Sequence, residues 1–205
     1  MNIGKWIAKH LTKPEGLFGS VVGFFMNRQN RALYAEVIRY IDPTDGDTIL
    51  DIGCGNGYVL GLIAKQCDAS LTGIDISESI LNAAKRRNQK YITNNTMHFY
   101  CQDLKAMDFP DAAYSKIYTI NTVYFWESLD EVMTEIHRIL KPNGLFVNTL
   151  FSNEFLDTLS FTKHGYQKFS SAQLHNAGTN AGFTVEIIPI LNGRAFCYLY
   201  RKPDM

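Results

Sequence analysis

Between residues 48 and 151 five short apolar runs are interleaved with helical stripes, and that alternation restricts the chain to very few folds. The runs are Thr48 to Ile52, Ser70 to Ile74, Met97 to Cys101, Lys116 to Ile120 and Leu145 to Phe151. Their length and their bracketing by turn residues suit buried strands. Helices are expected at Arg28 to Ile41, at Tyr58 to Lys65 and at Ser77 to Arg87, the last capped by Ser77. Leu129, Val132, Met133, Ile136, Ile139 and Leu140 recur at helical spacing and form a further apolar stripe. Lys141-Pro142-Asn143-Gly144 then ends that helix with residues that cannot continue it. Strands separated by helices imply a parallel sheet covered on both faces.

After Phe151 the rhythm changes. Residues 152–169 are long, mixed and aromatic, and read as an insertion or lid. Ser170 and Gln173 form a capping-box pair that opens another helix. Phe183 to Ile190 and Ala195 to Tyr200 read as strands joined through Asn192-Gly193, a hairpin signal. The expected fold is α/β, doubly wound, with seven mostly parallel strands and an antiparallel C-terminal hairpin. Ligands in such sheets bind beyond the carboxyl ends of the strands, near the switch point.

A chain of 205 residues is one domain, with or without a lid. The expected division is a helical N-terminal extension over residues 1–27 and the main domain over 28–205. Formal net charge is zero, so the basic footprint of a nucleic-acid enzyme is missing and no nucleic-acid partner is expected. Cys54, Cys67, Cys101 and Cys197 are widely spaced, with no CxxC pair. They read as free, buried thiols of a reducing compartment, and the expected location is the cytoplasm. Lys5, Lys9 and Lys13 precede an apolar run from Gly16 to Met26, which resembles the start of a signal peptide. No small-x-small cleavage site follows, and the run is too short to cross a bilayer. A helix lying on a membrane surface or over a cleft are the two readings left for it.

The first strand runs into Asp51-Ile52-Gly53-Cys54-Gly55-Asn56-Gly57, with a helix behind it. Glycine admits positive φ and close approach of backbone to a ligand, and the following helix start offers unpaired N–H groups. A dinucleotide loop needs its third glycine where Tyr58 stands, and no phosphate-clamping lysine follows, so neither of those phosphate loops fits. Asp75 ends the second strand, 24 residues beyond Asp51. A carboxylate there can accept both hydroxyls of a ribose, and Asp103, just past the third strand, can accept from an exocyclic amine. Ile76 is placed to pack on a flat base.

Leu50-Asp51-Ile52-Gly53-Cys54-Gly55-Asn56-Gly57 resembles motif I of class I S-adenosylmethionine (SAM)-dependent methyltransferases. The resemblance runs over about residues 28–190. It continues at Asp75, at Cys101-Gln102-Asp103 and from Glu135 to Leu145, the last being similar to a segment of the ubiquinone/menaquinone C-methyltransferase subgroup, with Asn143 in place of a glycine. The resemblance implies a Rossmann-like fold and SAM as cofactor. It implies that Asp51 and Gly53 hold the methionine end, that Gly55 and Gly57 shape the loop, that Asp75 binds the ribose, and that Asp103 with Leu104 meets the adenine. It also implies that the N-terminal helix closes over SAM, where Arg28 or Tyr34 would meet the carboxylate.

Methyl transfer from a sulfonium is an in-line displacement that needs alignment at about 3 Å and exclusion of water, with no metal and no covalent enzyme intermediate. No metal site is expected. The fourth strand leads into Asn121-Thr122-Val123-Tyr124-Phe125-Trp126-Glu127, where Asn121 is placed to meet the SAM tail or the acceptor. Tyr124 and Trp126, with Phe161 from the insertion, are candidates for an aromatic acceptor wall, attractive to a cationic sulfonium. No side chain is an unmistakable base. His164, Tyr124 and Tyr166 are the candidates, while His137 reads as a surface residue and Glu127 as a helix-start acid. The expected activity is methylation of a small molecule. Rival readings are a membrane-associated lipid or quinone methyltransferase, drawn from the basic-apolar N-terminus, and a SAM-binding module without turnover. The acceptor atom and the oligomeric state are not readable.

Overall fold

The computed structural model describes residues 30–104, 107–159, 162 and 166–204. The extension over residues 1–27, Arg28, Phe161 and His164 lie outside the described residues. Residues 30–41 form helix α1. There follow β1 (Thr48–Ile52), α2 (Tyr58–Ile63), β2 (Ser70–Asp75), α3 (Glu78–Arg87), α4 (Gln89–Thr93), β3 (Met97–Cys101) and β4 (Tyr114–Ile120). A single 3-10 turn, Val123–Phe125, precedes α5 (Leu129–Ile139), β5 (Leu140–Phe151) and α6 (Asn153–Asp157). The chain closes with α7 (Ser171–Asn180), β6 (Thr184–Ile190) and β7 (Ala195–Arg201).

The strands form one seven-stranded sheet in the order β3-β2-β1-β4-β5-β7-β6. The first five run parallel, while β7 pairs antiparallel with both β5 and β6. Chain order reverses between β1 and β4, which leaves a crevice at their carboxyl ends. Alternating strand side chains divide the core into two layers. Leu33, Val37, Leu60, Ile63, Leu81 and Ala84 bring α1, α2 and α3 onto one face. Val132, Met133, Ile136, Leu174 and Ala177 bring α5 and α7 onto the other. Helices thus cover both faces, as the alternation required.

Local chemistry departs from the sequence reading at several places. Ser77 occupies the N-cap of α3, but its side chain makes no cap bond; its backbone N–H donates to Asp75 instead, at 3.0 Å. Ser152 and Ser170 do cap, accepting from Phe155 N–H and Gln173 N–H, and Ser170 with Gln173 completes the expected capping box. The short α4 buries no residue, so no apolar stripe announces it. β5 begins at Leu140 rather than Leu145, because Leu140 pairs with Tyr114 before residues 141–144 bulge out and pairing resumes at Lys116 with Leu145. Asn143 takes φ 59° in that bulge, a left-handed conformation that asparagine tolerates. The hairpin link is Leu191 to Arg194, longer than a bare Asn-Gly turn, with Leu191, Asn192 and Gly193 all at positive φ. All four cysteines are free, but only Cys54 and Cys197 are buried, whereas Cys101 is exposed because β3 is the sheet edge.

One contact invisible in the sequence closes the end of α5. The buried Lys202 side chain donates from Nζ to the carbonyls of His137 and Leu140, at 2.8 Å each. Those carbonyls lie where the helix dipole is negative and intrahelical partners run out. Lys202→Met keeps the aliphatic stem and strands both oxygens. Thermal denaturation should show a loss of about 1–3 kcal/mol, a fall of several degrees in Tm for a chain of this size.

Candidate functional site

The bend after β1 is built on β2. Gly53 and Cys54 both donate backbone N–H to the Ile74 carbonyl, at 2.8 and 2.9 Å, which brings the bend against the end of β2. Asp75 then joins the two loops. One carboxylate oxygen accepts from Gly55 N–H at 3.0 Å and the other from Ser77 N–H at 3.0 Å. Burial pushes the Asp75 carboxyl above its ordinary range, and these backbone donors oppose the shift.

Gly57 has a different task from Gly53 and Gly55. It caps α2 at φ 67°, and a Cβ there would stand 2.7 Å from the Asn88 side-chain nitrogen. That amide in turn donates to the Gly57 and Ala84 carbonyls, at 3.0 Å each, tying the start of α2 to α3. Asn88 carried no signal in the sequence because its partner lies 31 residues away.

A cavity of about 620 Å³ opens from this bend across the ends of β1, β2 and β4. That volume suits a small-molecule ligand. Gly53, Gly55, Asp75, Ile76, Asp103 and Leu104 line one end. Asn121, Tyr124, Trp126 and Tyr166 line the other, together with Phe125 and Gln167, which the sequence reading did not single out for the pocket. Ile76 is 52% exposed, an isoleucine left in the open at the cavity wall. A Cβ on Gly55 would meet only Ile80, at 3.9 Å, so the bend leaves room for a ligand above it.

Among the described residues, three of those expected at the cofactor do not line this cavity. Gly57 packs on Asn88. Tyr34 sits in α1 with its ring 5.6 Å from that of Tyr58 and its hydroxyl bonded to the Asn30 side chain. Asp51 is buried beneath the bend and accepts from the Tyr118 hydroxyl at 2.8 Å.

Asn121 is the knot between the two ends. Its backbone is left-handed at φ 57° and donates to the Thr149 carbonyl. Its side-chain oxygen accepts from Phe151 N–H and from the Tyr124 hydroxyl, and its nitrogen donates to Asn30 of α1, all at 3.2 Å. The Tyr124 hydroxyl also reaches the Phe151 carbonyl, at 3.0 Å. Burial pushes the Tyr124 phenol far above neutral pH and that of Tyr166 up to about 12. Neither phenol is suited to give up a proton near pH 7. Their rings instead pack on each other and on Phe125, at 5.0–6.4 Å between centroids. Gln167 N–H donates to the Tyr124 carbonyl at 2.9 Å, which holds Tyr166 and Gln167 at the cavity. Among the described residues no cluster of three His, Cys, Asp or Glu is placed to hold a metal ion.

This arrangement agrees with known proteins. Residues 49–144 match the family model for a methyltransferase domain. The family match and the methyltransferase relatives together indicate a class I SAM-dependent methyltransferase. It is 28% identical over 135 residues to the uncharacterized methyltransferase YdaC of Bacillus subtilis, a match covering 65% of this chain and 72% of that protein. It is 33% identical over 104 residues to a sterol 24-C-methyltransferase of Pneumocystis carinii, covering 51% of this chain but only 28% of that protein. The fold is shared with a solved geranyl diphosphate C-methyltransferase from Streptomyces coelicolor A3(2), with a TM-score of 0.72, 13% identity, and coverage of 94% of this chain and 85% of that one.

The solved Streptomyces enzyme is a complex with S-adenosyl-L-homocysteine. The residues present here fit such a ligand: a carboxylate held by two backbone N–H groups, an exposed isoleucine and an open glycine bend face one cavity. Among the described residues no helix is long and apolar enough to cross a membrane.

Proposed function

We propose that this methyltransferase moves the SAM methyl group to a small, largely apolar acceptor held against Tyr124, Phe125, Trp126 and Tyr166. The observation that carries this reading is one cavity lined both by a cofactor-type bend and by an aromatic wall. Asp75 would take the ribose hydroxyls, Ile76 and Leu104 would pack on the adenine, and Asp103 would accept from its amine. The open bend at Gly53 and Gly55 would receive the methionine end. Bound SAM supplies an electrophilic methyl on a sulfonium. The chain's part is then to align the acceptor, exclude water and face the sulfonium with aromatic rings. Asn121 would fix the carboxyl end of β4 through its bonds to α1 and β5. Tyr124 and Tyr166 are not suited to act as bases, and His164 lies outside the described residues.

The domain division follows the same reading, with residues 28–205 as the catalytic domain and residues 1–27 as an N-terminal extension or lid. The free thiols support a cytoplasmic location. Calorimetric titration with SAM and with S-adenosylhomocysteine (SAH) tests the proposal. Micromolar binding of both, with methyl incorporation into apolar acceptors, is expected. No heat with either at millimolar ligand refutes it.

The match to a sterol methyltransferase and the apolar cavity favour one second reading, in which the acceptor is drawn from a membrane surface. Liposome flotation of the full chain against one lacking residues 1–27 separates the two, since only the membrane reading expects flotation that depends on those residues.

A further inference from the structure

Trp126 lines the cavity beside Tyr124 and Phe125, and it is only 2% exposed. Its indole nitrogen Nε1 is buried and has no hydrogen-bond partner. An indole N–H is a donor and nothing else, so only an acceptor atom can satisfy it. Buried tryptophans usually find such an atom, and a donor left without one costs stability. A phenylalanine at this place would be apolar throughout and carry no such cost. The polar groups nearest in the chain are bonded elsewhere. The Tyr124 hydroxyl is held by Asn121 and the Phe151 carbonyl, and the Asn121 oxygen also accepts from Phe151 N–H. The Tyr124 carbonyl accepts from Gln167 N–H, and the Val123 carbonyl from the backbone N–H of Trp126 itself. The bonds that hold the wall in place thus run past the indole without using it. Packing fixes the ring instead, in one apolar cluster with Val132 and Met133 of α5. A donor at a ligand cavity that no protein atom satisfies calls for a partner that arrives with the ligand.

We propose that the Trp126 indole N–H is a specificity-determining donor: it recognises an oxygen of the methyl acceptor, so that the acceptor is a largely apolar molecule carrying a carbonyl or hydroxyl oxygen. This inference rests on the methyltransferase reading above and names the chemistry of its acceptor. The aromatic rings give contact area but little discrimination, since many flat apolar molecules would satisfy them. A buried donor discriminates. An acceptor with an oxygen opposite Nε1 gains the bond, whereas one without it leaves the N–H unpaired. Nε1 lies just beneath the wall, so the bond forms as the indole tilts towards the cavity, a side-chain adjustment of the kind common on binding. The contact also fixes which way the acceptor faces, and in-line methyl transfer depends on that orientation. The proton stays on the indole throughout, so Trp126 positions the acceptor and takes no part in proton transfer.

The experiment uses two probes of one shape, the ketone 1-indanone and the hydrocarbon indane, on the full chain saturated with SAH. The chain has two tryptophans, so in Trp6→Phe the remaining indole N–H signal in a nitrogen-15 NMR spectrum is that of Trp126. Indanone should move that proton downfield as the bond forms, and indane should leave it in place. In the same titrations the ratio of indanone to indane affinity should fall about 3- to 10-fold in Trp126→Phe, the worth of one neutral hydrogen bond. Taking the ratio cancels the difference in hydrophobicity between the probes and any general loss of packing. Should Trp126→Phe fail to fold, replacing the indole with a benzothiophene ring keeps its shape, removes the N–H and should lower the ratio equally. An indole signal that indanone leaves unmoved, or a ratio unchanged without the N–H, overturns the inference while SAH binding still supports the cofactor reading. Absence of SAH binding by the wild-type chain overturns both.

Discussion

Replacing Asp75 by alanine is expected to weaken SAH binding about 100-fold or more while leaving the sheet intact. A carboxylate that accepts from both ribose hydroxyls makes two charge-assisted hydrogen bonds, each worth about 1.5–3 kcal/mol. Tenfold in affinity is about 1.4 kcal/mol, so losing both exceeds two orders of magnitude even after water compensates part of the loss. The same change strands the Gly55 and Ser77 N–H groups that Asp75 now satisfies. Some loosening of the bend is expected too, at about 1–3 kcal/mol of stability. Asp75→Asn keeps an acceptor and should fall between the two. Calorimetry with circular dichroism distinguishes the outcomes, and an unchanged Kd in a folded Asp75→Ala protein removes Asp75 from the ribose site.

Gly53→Ala should both destabilise the fold and abolish cofactor binding. Gly53 has φ +71°, which costs an L-residue about 1–2 kcal/mol. Its added Cβ would also stand 2.4 Å from the Thr122 methyl group. Overpacking of that kind costs about 1–3 kcal/mol. Thr122 is not free to swing aside, because its hydroxyl bonds that of Thr119, which donates to the Ile52 carbonyl at 2.8 Å. The two costs together come to about 2–5 kcal/mol, a fall of about 5–15 °C in Tm. Pairing Gly53→Ala with Thr122→Ala separates them, since the second change removes the overlap and leaves the backbone cost. A double-mutant cycle should therefore show a favourable coupling of about 1–3 kcal/mol. Additive losses would mean that the loop relaxes away from Thr122, and that the contact does not constrain it.

The parts of the fold legible in the sequence were those set by near neighbours along the chain. Strand and helix positions followed from period and turn residues, and the capping box at Ser170 formed as its local pattern required. The bend at Gly53 to Gly57 and the carboxylate at Asp75 were legible for the same reason, since each is a short motif at a strand end. Leu104, Asp103 and Ile76 entered the same cavity because they follow the next strands in the sheet. What the sequence missed depends on partners far apart in the chain. Asn88 bonds Gly57, Tyr118 bonds Asp51, and Thr122 presses on Gly53. None of these pairs has a local period or spacing. Tyr124 illustrates the opposite error, as a phenol attractive on paper as a base is spent on Asn121 and Phe151 once folded.

The sequence by itself determined the order of elements, the two-faced sheet and the glycine bend that marks a methyltransferase, because hydrophobic period and backbone permission are properties of consecutive residues. Only the tertiary structure decided which polar groups are buried, what they touch and what charge they carry. Register brings Asp51 beside Tyr118 across neighbouring strands, and burial holds the Asp51 carboxyl above its ordinary range.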